Sequence, residues 1–155
     1  MQPGRRRGFT LVEVMVVLAI IGITLGLVSL NAMPSPRQNL QAEARRIALL
    51  LQLARDEAIV RNRLVAFEAD SEQYRFLVRN ETSWDPVVKD DLLRERAFKG
   101  APVKLLIDPP SAGNGNPMRI IFGREPVDKP FVLTMAIDND SVAIRADGIG
   151  HFVVE

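Results

Sequence analysis

The chain of 155 residues has no cysteine and one histidine, His151. Without a thiol there can be no disulfide framework, thiolate zinc site, iron–sulfur cluster or cysteine nucleophile. A lone histidine cannot build a catalytic histidine pair or a multi-histidine metal site within one chain. The glycine-rich stretch Ser111-Ala112-Gly113-Asn114-Gly115-Asn116 lacks both the Gly-Lys-Ser/Thr ending of a phosphate loop and the dinucleotide fingerprint. Asp138-Asn139-Asp140 has the alternating oxygens that calcium favours, but Val142 and Ala143 follow where an EF-hand needs further ligands, so a polar turn between strands is expected. The acidic pairs Asp56-Glu57 and Asp90-Asp91 are sequence neighbours whose side chains diverge, and read as solvated charge. No enzyme, cofactor, metal or small-molecule substrate is expected.

Charge of one sign is also missing: 20 Lys+Arg stand against 19 Asp+Glu. With 47% hydrophobic and 25% charged residues the chain has enough apolar surface to fold, and its length allows one modest domain plus an appended segment.

The amino terminus supplies that segment. Residues 14–30 carry no charge, and the stretch 9–32 is interrupted only by Glu13. As a helix rising about 1.5 Å per residue, this stretch reaches roughly 36 Å, enough to cross a hydrocarbon core of about 30 Å. Arg5, Arg6 and Arg7 precede it, which places the amino terminus in the cytoplasm and the remaining chain outside. A secretory signal would have a shorter apolar stretch followed by a small-residue cleavage site. Here Gly8 comes before the apolar stretch, between the arginines and Phe9. Glu13 is the second anomaly: a carboxylate in lipid costs roughly 2.5–3.5 kcal/mol at the bilayer centre and less near the interface. It needs a partner. Gly22 and Gly26, with Thr24 and Ser29 nearby, form a small-xxx-small arrangement that would let helices approach closely.

Arg7-Gly8-Phe9-Thr10-Leu11-Val12-Glu13 followed by an apolar helix resembles the leader of type IV pilins and of the type II secretion pseudopilins. The resemblance implies cleavage after Gly8 by a membrane-embedded prepilin peptidase, methylation of the new Phe9 amine, and an assembly role for Glu13. The physics fits that role, because a carboxylate in lipid can be neutralised by the amine of a neighbouring subunit in a filament.

Beyond the span, Pro34-Ser35-Pro36 should kink or break the helix. From Gln38 to about Asn62 the helical pattern resumes, with Leu40, Ala44, Ile47, Leu51, Ala54 and Ala58 on one apolar stripe and Arg45, Arg46, Arg55, Asp56 and Arg61 on other faces. Strands are expected at 64–69 and 74–79 as a hairpin, then at 103–107, 118–122, 131–137, 141–146 and 150–154, with a tight turn at Asp147-Gly148. Residues 80–100 and 108–117 read as surface loops. The expected segments are a removed leader 1–8, a membrane helix 9–33, a soluble helix half 34–63 and a periplasmic β domain 64–155. The fold class is α+β, a long helix whose outer half packs on antiparallel sheet, arranged as one sheet or two small ones.

Within that wider family, Ala44-Arg45-Arg46, Ala54-Arg55-Asp56-Glu57-Ala58, Val65-Ala66-Phe67 and the tail Arg145-Ala146-Asp147-Gly148 through Gly150-His151-Phe152 are similar to the H-type minor pseudopilins. That resemblance implies a single-pass inner-membrane subunit of a type II secretion pseudopilus, at or near its tip. Its partners would be the other minor pseudopilins, the major pseudopilin, the prepilin peptidase/methyltransferase and inner-membrane lipid. The alternative is a type IV pilus minor pilin that takes up DNA or primes assembly. Charge argues against DNA: loss of Arg5, Arg6 and Arg7 leaves 17 basic against 19 acidic residues, a balance of −2, and residues 151–155 hold no arginine.

Overall fold

The computed structural model describes residues 10–31, 35–88, 90–110 and 115–155. Gly8, Phe9, Pro34 and residues 111–114 of the glycine-rich stretch lie outside the described residues, as does the Ser29 side chain. The chain divides into two units, Met1–Pro34 and Ser35–Glu155.

Among its described residues the first unit holds one helix, α1 (Leu11–Asn31). Thr10 starts it, its carbonyl accepting from the N–H groups of Glu13 at 3.1 Å and Val14 at 3.3 Å, and its hydroxyl accepting again from Glu13 N–H at 3.3 Å. Leu11, Val12, Met15, Leu18, Ile20, Ile23 and Leu25 are all exposed, on every side of the helix.

The second unit opens with a new helix rather than a continued one. Ser35 caps α2 (Pro36–Val60): its hydroxyl accepts from Gln38 N–H and the Gln38 side chain accepts from Ser35 N–H, both at 3.2 Å. Pro36 sits at the first helical position, where its missing N–H costs nothing. The expected break is therefore a capped helix start. Leu40, Ala44, Ile47, Leu51, Ala54 and Ala58 are buried as the stripe predicted.

Among the described residues nine strands follow: β1 (Val65–Ala69), β2 (Gln73–Arg79), β3 (Trp84–Pro86), β4 (Arg96–Ala97), β5 (Lys104–Asp108), β6 (Met118–Phe122), β7 (Phe131–Ile137), β8 (Asp140–Ala146) and β9 (Phe152–Val154). They form two antiparallel sheets, one ordered β3-β2-β1-β6 with β4 also on β2, the other β5-β7-β8-β9. Helix α2 packs on both, against β1 and β6 of the first and β7, β8 and β9 of the second. Phe67, Tyr74 and Phe76 from the first sheet and Leu133, Met135 and Ile144 from the second close one core beneath it.

Three expectations need correcting. Residues 80–100 are not merely a loop, since they contain β3 and β4 and bury Leu93 and Phe98. Two- and three-residue strands have no period of their own and are defined by pairing with β2. Arg55 does not decorate an exposed face but is 7% exposed. The last strand starts at Phe152, because Gly150 at φ +116° and His151 belong to the preceding turn.

Candidate functional site

Glu13 lies in the first turn of α1 and is exposed; among the described residues its carboxylate has no hydrogen bond or ion pair. The helix amino terminus favours a negative charge there. Gly22 and Gly26 lie nine and thirteen residues further along α1, and a Cβ at either would meet nothing within 4 Å. Thr24 turns its hydroxyl back onto the carbonyls of Ile20 at 2.9 Å and Ile21 at 3.0 Å, leaving no polar group seeking a partner there. Side chains of α1 are described through residue 26, and among the described residues no helix is long and apolar enough to cross a membrane. Gly8 and Phe9, the other two residues of the motif, lie outside the described residues.

The second unit treats its carboxylates differently. Glu43, 4% exposed on α2, accepts a hydrogen bond from the Tyr74 hydroxyl at 3.2 Å and faces Arg46 at 3.7 Å. Burial, reinforced by the Glu43 charge, pushes the Tyr74 phenol up to about 12. Glu68, 3% exposed on β1, accepts from Arg75 Nε at 2.8 Å and Nη2 at 2.6 Å with one oxygen, and from the Arg119 guanidinium with the other. Burial alone would raise its carboxyl, but the hydrogen bonds from Arg119 and Arg75 outweigh that and hold it below the usual range.

Arg55 anchors the far end of α2. Its Nη2 donates to the Pro126 carbonyl, and Nη1 faces Asp56 at 3.7 Å, while Nε is buried and has no hydrogen-bond partner among the described residues. Two glycines make room for this arrangement: a Cβ on Gly148 would lie 2.3 Å from the Asp128 carbonyl oxygen, and one on Gly150 would lie 2.6 Å from Arg55 Nη1. The Asp147-Gly148 turn is itself tied down by Asp147 Oδ1, which accepts from the N–H groups of Ile149, Gly150 and His151. His151 is exposed, with Nδ1 2.6 Å from Asp147 Oδ2. Asp138 and Asn139 form the two-residue turn between β7 and β8, with Asp138 at φ +51°. Among the described residues no group of three or more histidine and carboxylate side chains could hold a metal ion.

Sequence reasoning missed Glu43, Glu68 and the burial of Arg55. A signal for Glu68 was present: the expected hairpin already sets it opposite Arg75. For Arg55 the signal was the paired glycines of Asp147-Gly148-Ile149-Gly150, which mark a close approach.

A capped helix lying on two antiparallel sheets, preceded in the chain by an exposed apolar helix with a carboxylate in its first turn, is an α+β fold of the pilin-like class. The sequence model described as Type II transport protein GspH matches residues 43–150, and the prokaryotic N-terminal methylation motif matches residues 3–29. The chain belongs to the GspH family of type II transport proteins. It is 38% identical over 87 residues to the type II secretion system protein H of Pseudomonas aeruginosa, an alignment covering 54% of this chain and 51% of that relative's length. It is 30% identical over 153 residues to the pilin-like protein PilA1 of Thermus thermophilus, covering 92% of this chain and 96% of that one. The fold is shared with the minor pseudopilin EpsH of Vibrio cholerae, with a TM-score of 0.61 at 14% identity over 78% of this chain and 98% of that one. It is shared also with Escherichia coli GspH, with a TM-score of 0.56 at 20% identity over 77% and 91%.

Proposed function

We propose that this chain is a minor pseudopilin that joins or forms the tip of a type II secretion pseudopilus, and so serves the export of folded periplasmic proteins. The observation that carries the reading is the match of the GspH family over residues 43–150 behind a methylation motif over residues 3–29. In this reading residues 1–8 are removed by the prepilin peptidase, Phe9 becomes the methylated amino terminus, and α1 holds the subunit in the inner membrane with residues 35–155 in the periplasm. What supports the membrane part of this reading is the sequence: residues 14–30 carry no charge, and the stretch 9–32 would rise roughly 36 Å as a helix at about 1.5 Å per residue. When the helix enters the filament among the other minor pseudopilins and the major pseudopilin, Glu13 pairs with a neighbour's amine. Gly22 and Gly26 open that helix's surface to close packing. The protein works by holding neighbours in register and has no reaction of its own to catalyse.

The processing step is tested by intact mass and amino-terminal sequence of the chain recovered from membranes with and without the cognate prepilin peptidase. The expected product begins at a methylated Phe9 only when the peptidase is present; a chain that stays uncut in its presence refutes the reading.

The 30% identity to a pilin-like protein along nearly the whole chain supports a second reading, a type IV pilus minor pilin. Deleting the gene separates the two. Loss of protein export with pili intact supports the first, and loss of pili or of DNA uptake supports the second.

A further inference from the structure

The outer face of the first sheet, turned away from α2, is built unlike an ordinary solvated surface. Strand alternation and register set three rows across it. The middle row is apolar: Pro86, Leu77, Ala66 and Ile121 lie side by side on β3, β2, β1 and β6. One flanking row is Arg75, Glu68 and Arg119. The other is Arg79 and Trp84. Trp84 reaches over the apolar row, since the guanidinium carbons of Arg79 on one side and Arg119 on the other both lie 5.5 Å from its ring centroid. Ala66 and Leu77 are buried there, although neither belongs to the core beneath α2. Ile121 at the edge of the row remains 46% exposed.

Three features distinguish this face from a cap that simply closes the sheet. The guanidiniums are fixed in advance: Glu68 anchors Arg75 and Arg119 from below, so little side-chain entropy is lost when their rims are used. Trp and Arg are the residue types that dominate binding energy at protein interfaces, and here they surround an apolar strip. Finally, an open cleft of about 520 Å³ continues past Arg79, lined by Arg63, Asn80, Thr82 and Ser83 with Glu81, and neither Arg63 nor Arg79 has a carboxylate partner among the described residues.

We infer that this face docks an acidic segment of a partner protein, laying its apolar side chains along the Ile121 row and its carboxylates against Arg79, Arg63 and the rims of Arg75 and Arg119. Charge complementarity selects the occupant. Glu68 and Glu95 sit among the arginines, with Glu95 3.8 Å from Arg75, and they repel a continuous phosphate backbone that would have to pass over them. A short protein segment can place its few carboxylates only where the guanidiniums are. The inference rests on the chemistry of the sheet and holds whether or not the leader is cut.

Trp84 is the chain's one tryptophan, so its emission reports on this face alone. The full chain in detergent is titrated with a short glutamate- and leucine-rich peptide, with its lysine-for-glutamate analogue, and with an oligothymidylate of matching charge. The expected result is a saturable change of Trp84 emission with the acidic peptide only, weakened at least about tenfold by Arg79→Ala, by Arg63→Ala and by high salt. Arg63 is exposed at the end of α2, so its replacement keeps the sheet intact should Arg79→Ala disturb it. No response, an equal response to the lysine analogue, or tighter binding of the oligothymidylate overturns the inference. So does an emission change that follows chain concentration without any probe, which would assign the face to a second copy.

Discussion

Three carboxylates, Glu13, Glu43 and Glu68, divide the molecule in two. In residues 35–155, Glu43 and Glu68 are buried and each is met by donors from its own chain, a tyrosine hydroxyl and an arginine for one and two guanidiniums for the other. In α1, Glu13 is exposed and has no partner among the described residues. Removing a charge from water costs several kcal/mol unless it is paired, so a carboxylate bound for an apolar environment must find its cation somewhere. The second unit has satisfied Glu43 and Glu68 internally. Among the described residues the first offers Glu13 no such partner, and in the proposed function a neighbouring subunit supplies it. The second unit thus pairs these two carboxylates within one chain, whereas the role proposed for α1 calls for an assembly.

That contrast can be broken most severely at Gly148. Its φ of +82° is strained for any L side chain, and an alanine Cβ would stand 2.3 Å from the backbone oxygen of Asp128. Gly148→Ala should cost about 3 kcal/mol, read as a lower urea midpoint for the full chain in detergent. An unchanged midpoint would show that the 147–150 turn is not a fixed part of the second unit. A smaller effect comes from Tyr74, the chain's one tyrosine, whose absorbance titration has no other contributor. Its folded pKa is raised from 10.0 to about 12. The stability it contributes is therefore fully present below pH 10 and is lost as pH rises from there toward about 12. The loss should be roughly 2 kcal/mol and absent from Tyr74→Phe. A phenol titrating at its ordinary value would mean that the Glu43–Tyr74 contact is open to water.

Most of the fold was legible because its elements obey a period. The stripe from Leu40 to Ala58 keeps to helical spacing and is buried as read. Strands β6 and β7 begin and end where alternation put them, and the Pro34-Ser35-Pro36 signal marked a true helix start. What escaped was set by tertiary partners. β3 and β4 exist only as additions to β2. Arg55 on a helix reads as solvated until two loops fold over it, and Glu43 reads as solvated until Tyr74 arrives from β2. At the amino terminus the position was reversed: the motif was legible as sequence, while only Thr10 to Glu13 of it lie among the described residues.

The central claim, that Glu13 is completed by a neighbour while residues 35–155 are complete alone, is tested most directly by Glu13→Ala in cells carrying the cognate secretion system. The measured quantity is the fraction of chain cross-linked to the major pseudopilin, alongside the urea midpoint of the purified protein. The account predicts at least about a tenfold loss of cross-linking, with stability of the second unit unchanged within about 0.5 kcal/mol. Cross-linking at the unsubstituted level would contradict it, because a helix that assembles without its carboxylate has no need of a neighbour's amine.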